Sequence, residues 1–378
     1  MIVAALAVGL LAACSSGPGL SPPPAGVPVA GATSGAAART NTANTPSAPS
    51  TTPIPPAATP TAAPTTKPPG SSGVWRPFRA DSPWNTRIGA NPALDPQSIA
   101  LIDDLEVSSQ WPFFGINISG FSIPVYYATP TTSTVRVAAE LGGTGFPGSN
   151  GMNGSAMVPI PAGAAPDPQS DRHMVVVSTD RRLSWDFFGA RPAGTTWNCT
   201  LCATTDLTGS GVRPKKQGNP TWFTSHGARA CGFPLLAGLI RPEEIKAGRI
   251  DHALVIAYPH IRAGLYTPPA STAQARIGDE AIKTRGIPCG GRVQLDPSIN
   301  VDALDLSRSG KIIARALQEY GAFVGDYSGA ISLYADNSPA ARAQWSAGLL
   351  DTYALRYTLS LGSLRVLKLG TLYDDGNG

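Results

Sequence analysis

Between Arg249 and His260 the chain reads RIDHALVIAYPH, an apolar run from Ala253 to Tyr258 that carries no charge and is closed by a proline. Read as an extended strand, it sends His252, Leu254, Ile256, Tyr258 and His260 to one face and Asp251, Ala253, Val255 and Ala257 to the other. Pro259 ends pairing, so Tyr258 and His260 fall at a strand end, where clefts are commonly lined. Other β-type runs are FSIPVYYA, STVRVAAEL, RHMVVVST, RLSWDFFG and GRVQL, separated by Gly- and Pro-rich connections. Asp180-Arg181 predicts a hairpin between RHMVVVST and RLSWDFFG, with Ser184, Asp186 and Phe188 on one face and Leu183, Trp185 and Phe187 on the other. Helical periodicity is clearest in SRSGKIIARALQEYG, residues 307–321, where Ile312, Ile313, Ala316, Leu317 and Tyr320 share a face between a Ser307 cap and a Gly321 stop. The next run, AFVGDYSGAISLYAD, reads as a hairpin turning at Tyr327-Ser328-Gly329. Shorter helices are expected at PEEIKAG and over 339–350. The pattern predicts a mainly β fold, a β-sandwich or jelly-roll-like body with a few peripheral helices, with α+β as the alternative.

The chain ends set the location. MIVAALAVGLLAACSSG has an apolar stretch from Ile2 to Ala13, the length of an export signal and short of a membrane span. No basic residue precedes it, so the expected initiation site lies a few residues upstream. Leu11-Ala12-Ala13-Cys14 resembles the lipobox of bacterial lipoproteins, which implies cleavage before Cys14 and its acylation. Residues 15–73 are largely Pro, Thr, Ala, Ser and Gly with two charges, Arg39 and Lys67, too polar to offset the entropy of ordering. The organisation expected is therefore a signal peptide and lipobox over 1–14, a disordered tether over 15–73 and a β-rich domain over 74–378, exported and held at the outer face of the membrane or released.

Lys and Arg number 29 against 25 Asp and Glu, and no long basic run occurs, so nucleic acid is excluded as the main partner. A monomer binding a polysaccharide or cell-wall glycan is expected. Four cysteines remain after Cys14 in an oxidising location, and Cys199, Cys202, Cys231 and Cys289 predict two disulfides with three pairings open. A four-thiolate zinc site is the alternative, but only CTLC has ligand spacing. No metal or other cofactor is called for: the Gly-rich GGTGFPGSNGMNGS lacks the Lys-Ser/Thr ending of a phosphate loop, and no G-x-S-x-G or H-E-x-x-H occurs.

Candidate chemistry gathers on the polar residues of the strands. His173 leads one strand, and Asp186, flanked by aromatic residues, suits a carboxyl of raised pKa that donates a proton. Asp206 is a second carboxylate, in a sequence more typical of a turn. His252 beside Tyr258 is an acid–base pair, against the plainer reading of a core histidine satisfied by one backbone bond. Trp185, Arg249, His226 and Arg229 are the expected substrate contacts, with Arg262 a further cation.

DRHMVVV, RPEEIKAGRIDHALVIAYP and IIARALQEYGAFVGDYSG together resemble a widespread group of secreted bacterial domains over residues 75–340. The resemblance implies one contiguous exported domain and carries no residue roles to these positions. The leading functional reading is a polysaccharide-degrading glycoside hydrolase using Asp186 with Asp206 or Asp251. A polysaccharide lyase using His252, Tyr258 and Arg249 or Arg262 is the second. The third is a glycan- or wall-binding lipoprotein, with SPWN, QWPFFG and SWDFF as stacking surfaces.

Overall fold

The computed structural model of the protein describes residues 73–109, 111, 113–146, 153–215, 226–274 and 285–375. The apolar leader, Cys14 and the tether as far as Ser72 lie outside the described residues, as do 147–152 of the Gly-rich connection. The fold is mainly β, with strands in four sheets and, among the described residues, four α-helices.

At its centre is a six-stranded mixed sheet. In spatial order it runs β1 (Gly115–Asn117), β15 (Ser332–Tyr334), β10 (Leu254–Tyr258), β14 (Ala322–Tyr327), β13 (Arg292–Leu295) and β16 (Leu364–Val366). The opening run supplies β10, and all five of its residues are buried. An unbroken apolar strand is what burial on both faces requires, and β10 is parallel to β14 on one side and antiparallel to β15 on the other. This overturns the hairpin expected at Tyr327-Ser328-Gly329. β14 and β15 are not neighbours, because β10 occupies the place between them and gains a ladder on each edge.

The second sheet holds β2 (Val125–Tyr127), β5 (Met174–Val177), β6 (Leu183–Phe188) and β9 (Leu201–Asp206) in that order. β5 and β6 form the predicted hairpin, and Arg181 takes a left-handed φ of 56° in its turn. A third sheet has the order β4 (Gly154–Pro159), β3 (Thr134–Ala139), β8 (Thr196–Cys199), β7 (Arg191–Ala193). A small fourth sheet joins β12 (Pro288–Cys289), β11 (Arg262–Tyr266) and β17 (Tyr373–Asp374). The segments 171–188 and 249–258 thus lie in different sheets.

The helices are α1 (Ser98–Val107), α2 (Pro242–Ala247), α3 (Arg308–Glu319) and α4 (Pro339–Ser346). α3 is capped as its sequence predicts: Gly310 N donates to Ser307 Oγ at 3.1 Å, and Gly321 follows with a φ of 66°. Ile312, Ile313, Ala316 and Leu317 are buried from it. The main core wraps the central sheet, where the Trp84 ring meets Phe233 and Phe323 edge to face at 4.7 and 5.0 Å. A smaller core around Val137, Phe146, Met174 and Phe187 links the two four-stranded sheets. The four cysteines form two disulfides, Cys199–Cys202 and Cys231–Cys289.

Candidate functional site

The residues singled out in the sequence divide into a structural group and a clustered group. His252 belongs to the first. It is 4% exposed, with Nε2 2.9 Å from Glu244 Oε1 and Nδ1 3.0 Å from the Ala253 carbonyl. Glu244 is itself paired with Arg241, whose Nη2 stands 2.6 Å away. Burial pushes the Glu244 carboxyl up, but Arg241 and then His252 outweigh it and bring it down to about 2. His252 is the core histidine of the plainer reading, with a carboxylate partner as well as a backbone one. Tyr258 is fully buried, donates to the Ile287 carbonyl at 3.1 Å and accepts from Ile287 N. Burial drives its hydroxyl above the ordinary tyrosine range, so it stays protonated. Arg249 is held by Asp251 and Glu319.

Asp186 is closed to solvent, so it cannot hand a proton to a substrate as the proton-donor reading expects. Ser184 Oγ and Thr205 Oγ1 each donate to it at 2.9 Å, Leu235 N donates at 3.3 Å, and Arg213 Nη2 lies 3.6 Å away. Burial raises its pKa against the pull of Arg213 and these donors. With its donors all supplied by the protein, it ties the second sheet to the segment after Arg229. Asp206 is a turn residue: it accepts from Thr208 N at 2.8 Å and Thr208 Oγ1 at 2.7 Å, bonds that hold its carboxyl below the usual range. Trp185 is half-buried against the smaller core.

His173 and Arg229 come together with three residues the sequence reading passed over: Asp326, Tyr334 and Asp171. The register of the central sheet explains two of these. Ala257 of β10 lies opposite Ser332 of β15 on one side and Asp326 of β14 on the other. Tyr334, two residues beyond Ser332, therefore shares a sheet face with Asp326. The small Ala257 stands between the two strands at the level of Asp326, and the Tyr334 hydroxyl and the Asp326 carboxyl are close enough to act on each other's ionisation.

Arg229 is delivered by the segment that follows His226. Cys231 N donates to the Gly325 carbonyl at 3.4 Å, and Cys231 is bonded to Cys289, whose successor Gly290 donates to Val324 at 2.8 Å. Phe233 lies so close to Gly325 that a Cβ there would meet its ring at 2.7 Å, so glycine is required beside Asp326. This arrangement lays the Arg229 guanidinium over the Tyr334 ring at 4.5 Å. His173 docks from the second sheet, its Nε2 3.0 Å from the Ala228 carbonyl and its ring 5.5 Å from that of Phe188. Asp171 precedes it by two residues.

His173, Arg229 and Tyr334 are buried at 4, 2 and 6% exposure, whereas Asp326, Asp171 and His226 are partly exposed. The cluster is thus a buried cation, imidazole and phenol beside two partly exposed acidic residues. Burial raises Asp326 to about 6, opposed by the charges of Arg229 and His173 and reinforced by Asp171. Burial, with Asp326 next, puts Tyr334 well above its ordinary range, so its hydroxyl acts as a donor. By contrast, the pocket bordered by Arg87, Gln294, Gln318 and Glu319 has its own charges paired, Arg87 Nη2 being 2.9 Å from Glu319 Oε2.

Among the described residues no group of three or more His, Cys, Asp or Glu side chains is placed to hold a metal ion, and no helix is long and apolar enough to cross a membrane. No family model matches the chain, and neither a curated protein nor a solved structure is significantly similar to it.

Proposed function

We propose that the protein is an exported, lipid-anchored glycoside hydrolase acting on an extracellular or cell-wall polysaccharide, with Asp326 as proton donor and Asp171 as the second carboxylate. The observation that carries this reading is the pair itself: two partly exposed acidic residues whose charges act on each other, one of them brought to about 6 by burial of its carboxyl. Below that pH Asp326 holds the proton that a departing glycosidic oxygen needs. Once it is given up, the carboxylate left behind is stabilised by the Tyr334 hydroxyl and the Arg229 charge, while Asp171 stabilises the positive charge developing on the sugar or activates water. His173, Tyr334 and Arg229 meeting in one place also favours a second reading, elimination from an acidic sugar, in which no water is consumed.

The test is a panel of plant, algal and bacterial cell-wall polysaccharides, followed for new reducing ends and for unsaturated ends in parallel. Asp326→Asn should lower turnover by about 10²–10⁴ with the melting temperature unchanged, and the wild-type rate should fall as pH rises through about 6, where the donor loses its proton. Full turnover by Asp326→Asn, or no cleavage across the panel, refutes the proposal. Unsaturated ends in place of reducing ends select elimination.

A further inference from the structure

We propose that the site reads a uronic acid: Arg229 binds the carboxylate of an acidic sugar and His173 a neighbouring hydroxyl. This rests on the glycan reading above and names its substrate class. Among the described residues the two other buried arginines each face a carboxylate, as does the half-buried Arg249. Arg241 lies against Glu244 at 2.6 Å, Arg213 against Asp186 at 3.6 Å, and Arg249 against Asp251 and Glu319.

Arg229 departs from that pattern. Its one polar contact is Nη2 to the Leu235 carbonyl at 3.5 Å, Nε and Nη1 have no hydrogen-bond partner, and among the described residues it forms no ion pair. Buried guanidinium donors without acceptors are strongly destabilising. Packing alone does not call for them, since an apolar side chain would cover the Tyr334 ring as well. A planar carboxylate is the acceptor that guanidinium geometry fits best.

His173 supplies the complementary half. With Nε2 facing the Ala228 carbonyl, that nitrogen carries a hydrogen, and Nδ1 is left for a sugar hydroxyl, which can donate or accept there. Nδ1 is buried and without a partner. A sulfate or phosphate ion brings acceptors only and a neutral sugar brings no charge, whereas a uronate brings a carboxylate and hydroxyl donors on one ring. The Arg229 and His173 atoms are closed to bulk solvent, so binding requires the side chains above them to give way, and uptake is slower than diffusion.

Titration calorimetry on the full domain tests this, with galacturonate, glucuronate and mannuronate oligosaccharides as acidic probes, cellotriose and arabinotriose as neutral ones, and sodium sulfate as a bare anion. At least one acidic probe should bind, Arg229→Gln should weaken it by about 30-fold or more, and Arg229→Lys should recover part of the loss while confirming that the fold survives. Asp326→Asn should leave that binding intact or tighten it. Neutral probes binding as well as acidic ones, no acidic probe binding, Arg229→Gln without effect, or sulfate displacing the sugar at equal concentration overturns the inference. Acidic binding without Asp326-dependent cleavage overturns only the hydrolase reading, and Asp326-dependent cleavage of neutral glycans alone overturns only this one.

Discussion

Replacing His252 with alanine separates the structural reading of RIDHALVIAYPH from the catalytic one. The substitution removes a ring that is 4% exposed and deletes its bond to Glu244 Oε1 at 2.9 Å. A charge-assisted hydrogen bond of this kind contributes about 1.5–3 kcal/mol, and the void left by the ring adds to it, giving a loss of about 2–4 kcal/mol. The loss stays below that of stripping Glu244 bare, because Arg241 still stands 2.6 Å from the same oxygen. Glu244 also fixes the sign of the pH dependence. Its carboxyl is held at about 2, below its ordinary value, so its stabilisation is complete above about pH 4.3 and is lost as pH falls toward 2. Without His252 that carboxyl rises, and acid unfolding begins at higher pH. Melting curves at pH 7 should show His252→Ala lower by roughly 5–10 °C, with the acid midpoint shifted upward. A variant that melts within about 1 °C of wild type yet loses turnover or glycan binding would refute the reasoning and return His252 to the chemistry.

Asp186→Ala should destabilise by about 3–5 kcal/mol in denaturant titration, since it leaves Arg213 buried beside the vacated position and unties Leu235 from the second sheet. Tyr258→Phe should cost about 1–2 kcal/mol through its lost bonds to Ile287 and leave turnover unchanged in the polysaccharide assay. Replacing Cys231 and Cys289 together with serine should lower stability by about 2–4 kcal/mol. It should also weaken glycan binding beyond what stability explains, because that disulfide pins the Arg229 segment beside Asp326; calorimetry well below the melting temperature checks this.

Local chemistry made much of the fold legible. Ser307 and Gly321 bound α3 as capping rules require, Asp180-Arg181 turns the β5–β6 hairpin, and the cysteine count led to two disulfides. Strand order was not legible. Tyr327-Ser328-Gly329 has hairpin chemistry, but pairing is decided by which edges are best buried, and β10 wins both. The same non-local rule hid half the candidate site. Asp326 and Tyr334 look unrelated in AFVGDYSGAISLYAD until Ala257 of a distant segment is seen between them. His173 and Arg229 were within reach of sequence reasoning because titratable residues are scarce here. Asp186 and His252 misled because a polar residue among apolar ones marks either a cleft or a buried network, and only the partners Arg213 and Glu244 tell which.

The placing of β10 between β14 and β15 also governs the order in which the chain can fold. A hairpin closes locally and early, whereas here neither β14 nor β15 has its main partner until Leu254–Tyr258 has crossed to meet them over a long loop. Such closure is slow. A nascent or exported chain that has emerged only as far as β11 presents β10 with two open, wholly apolar edges, the most aggregation-prone state this sequence passes through. Secretion yield should therefore respond more to polar substitutions near β10 that shield those edges than to equal gains in the stability of the finished fold.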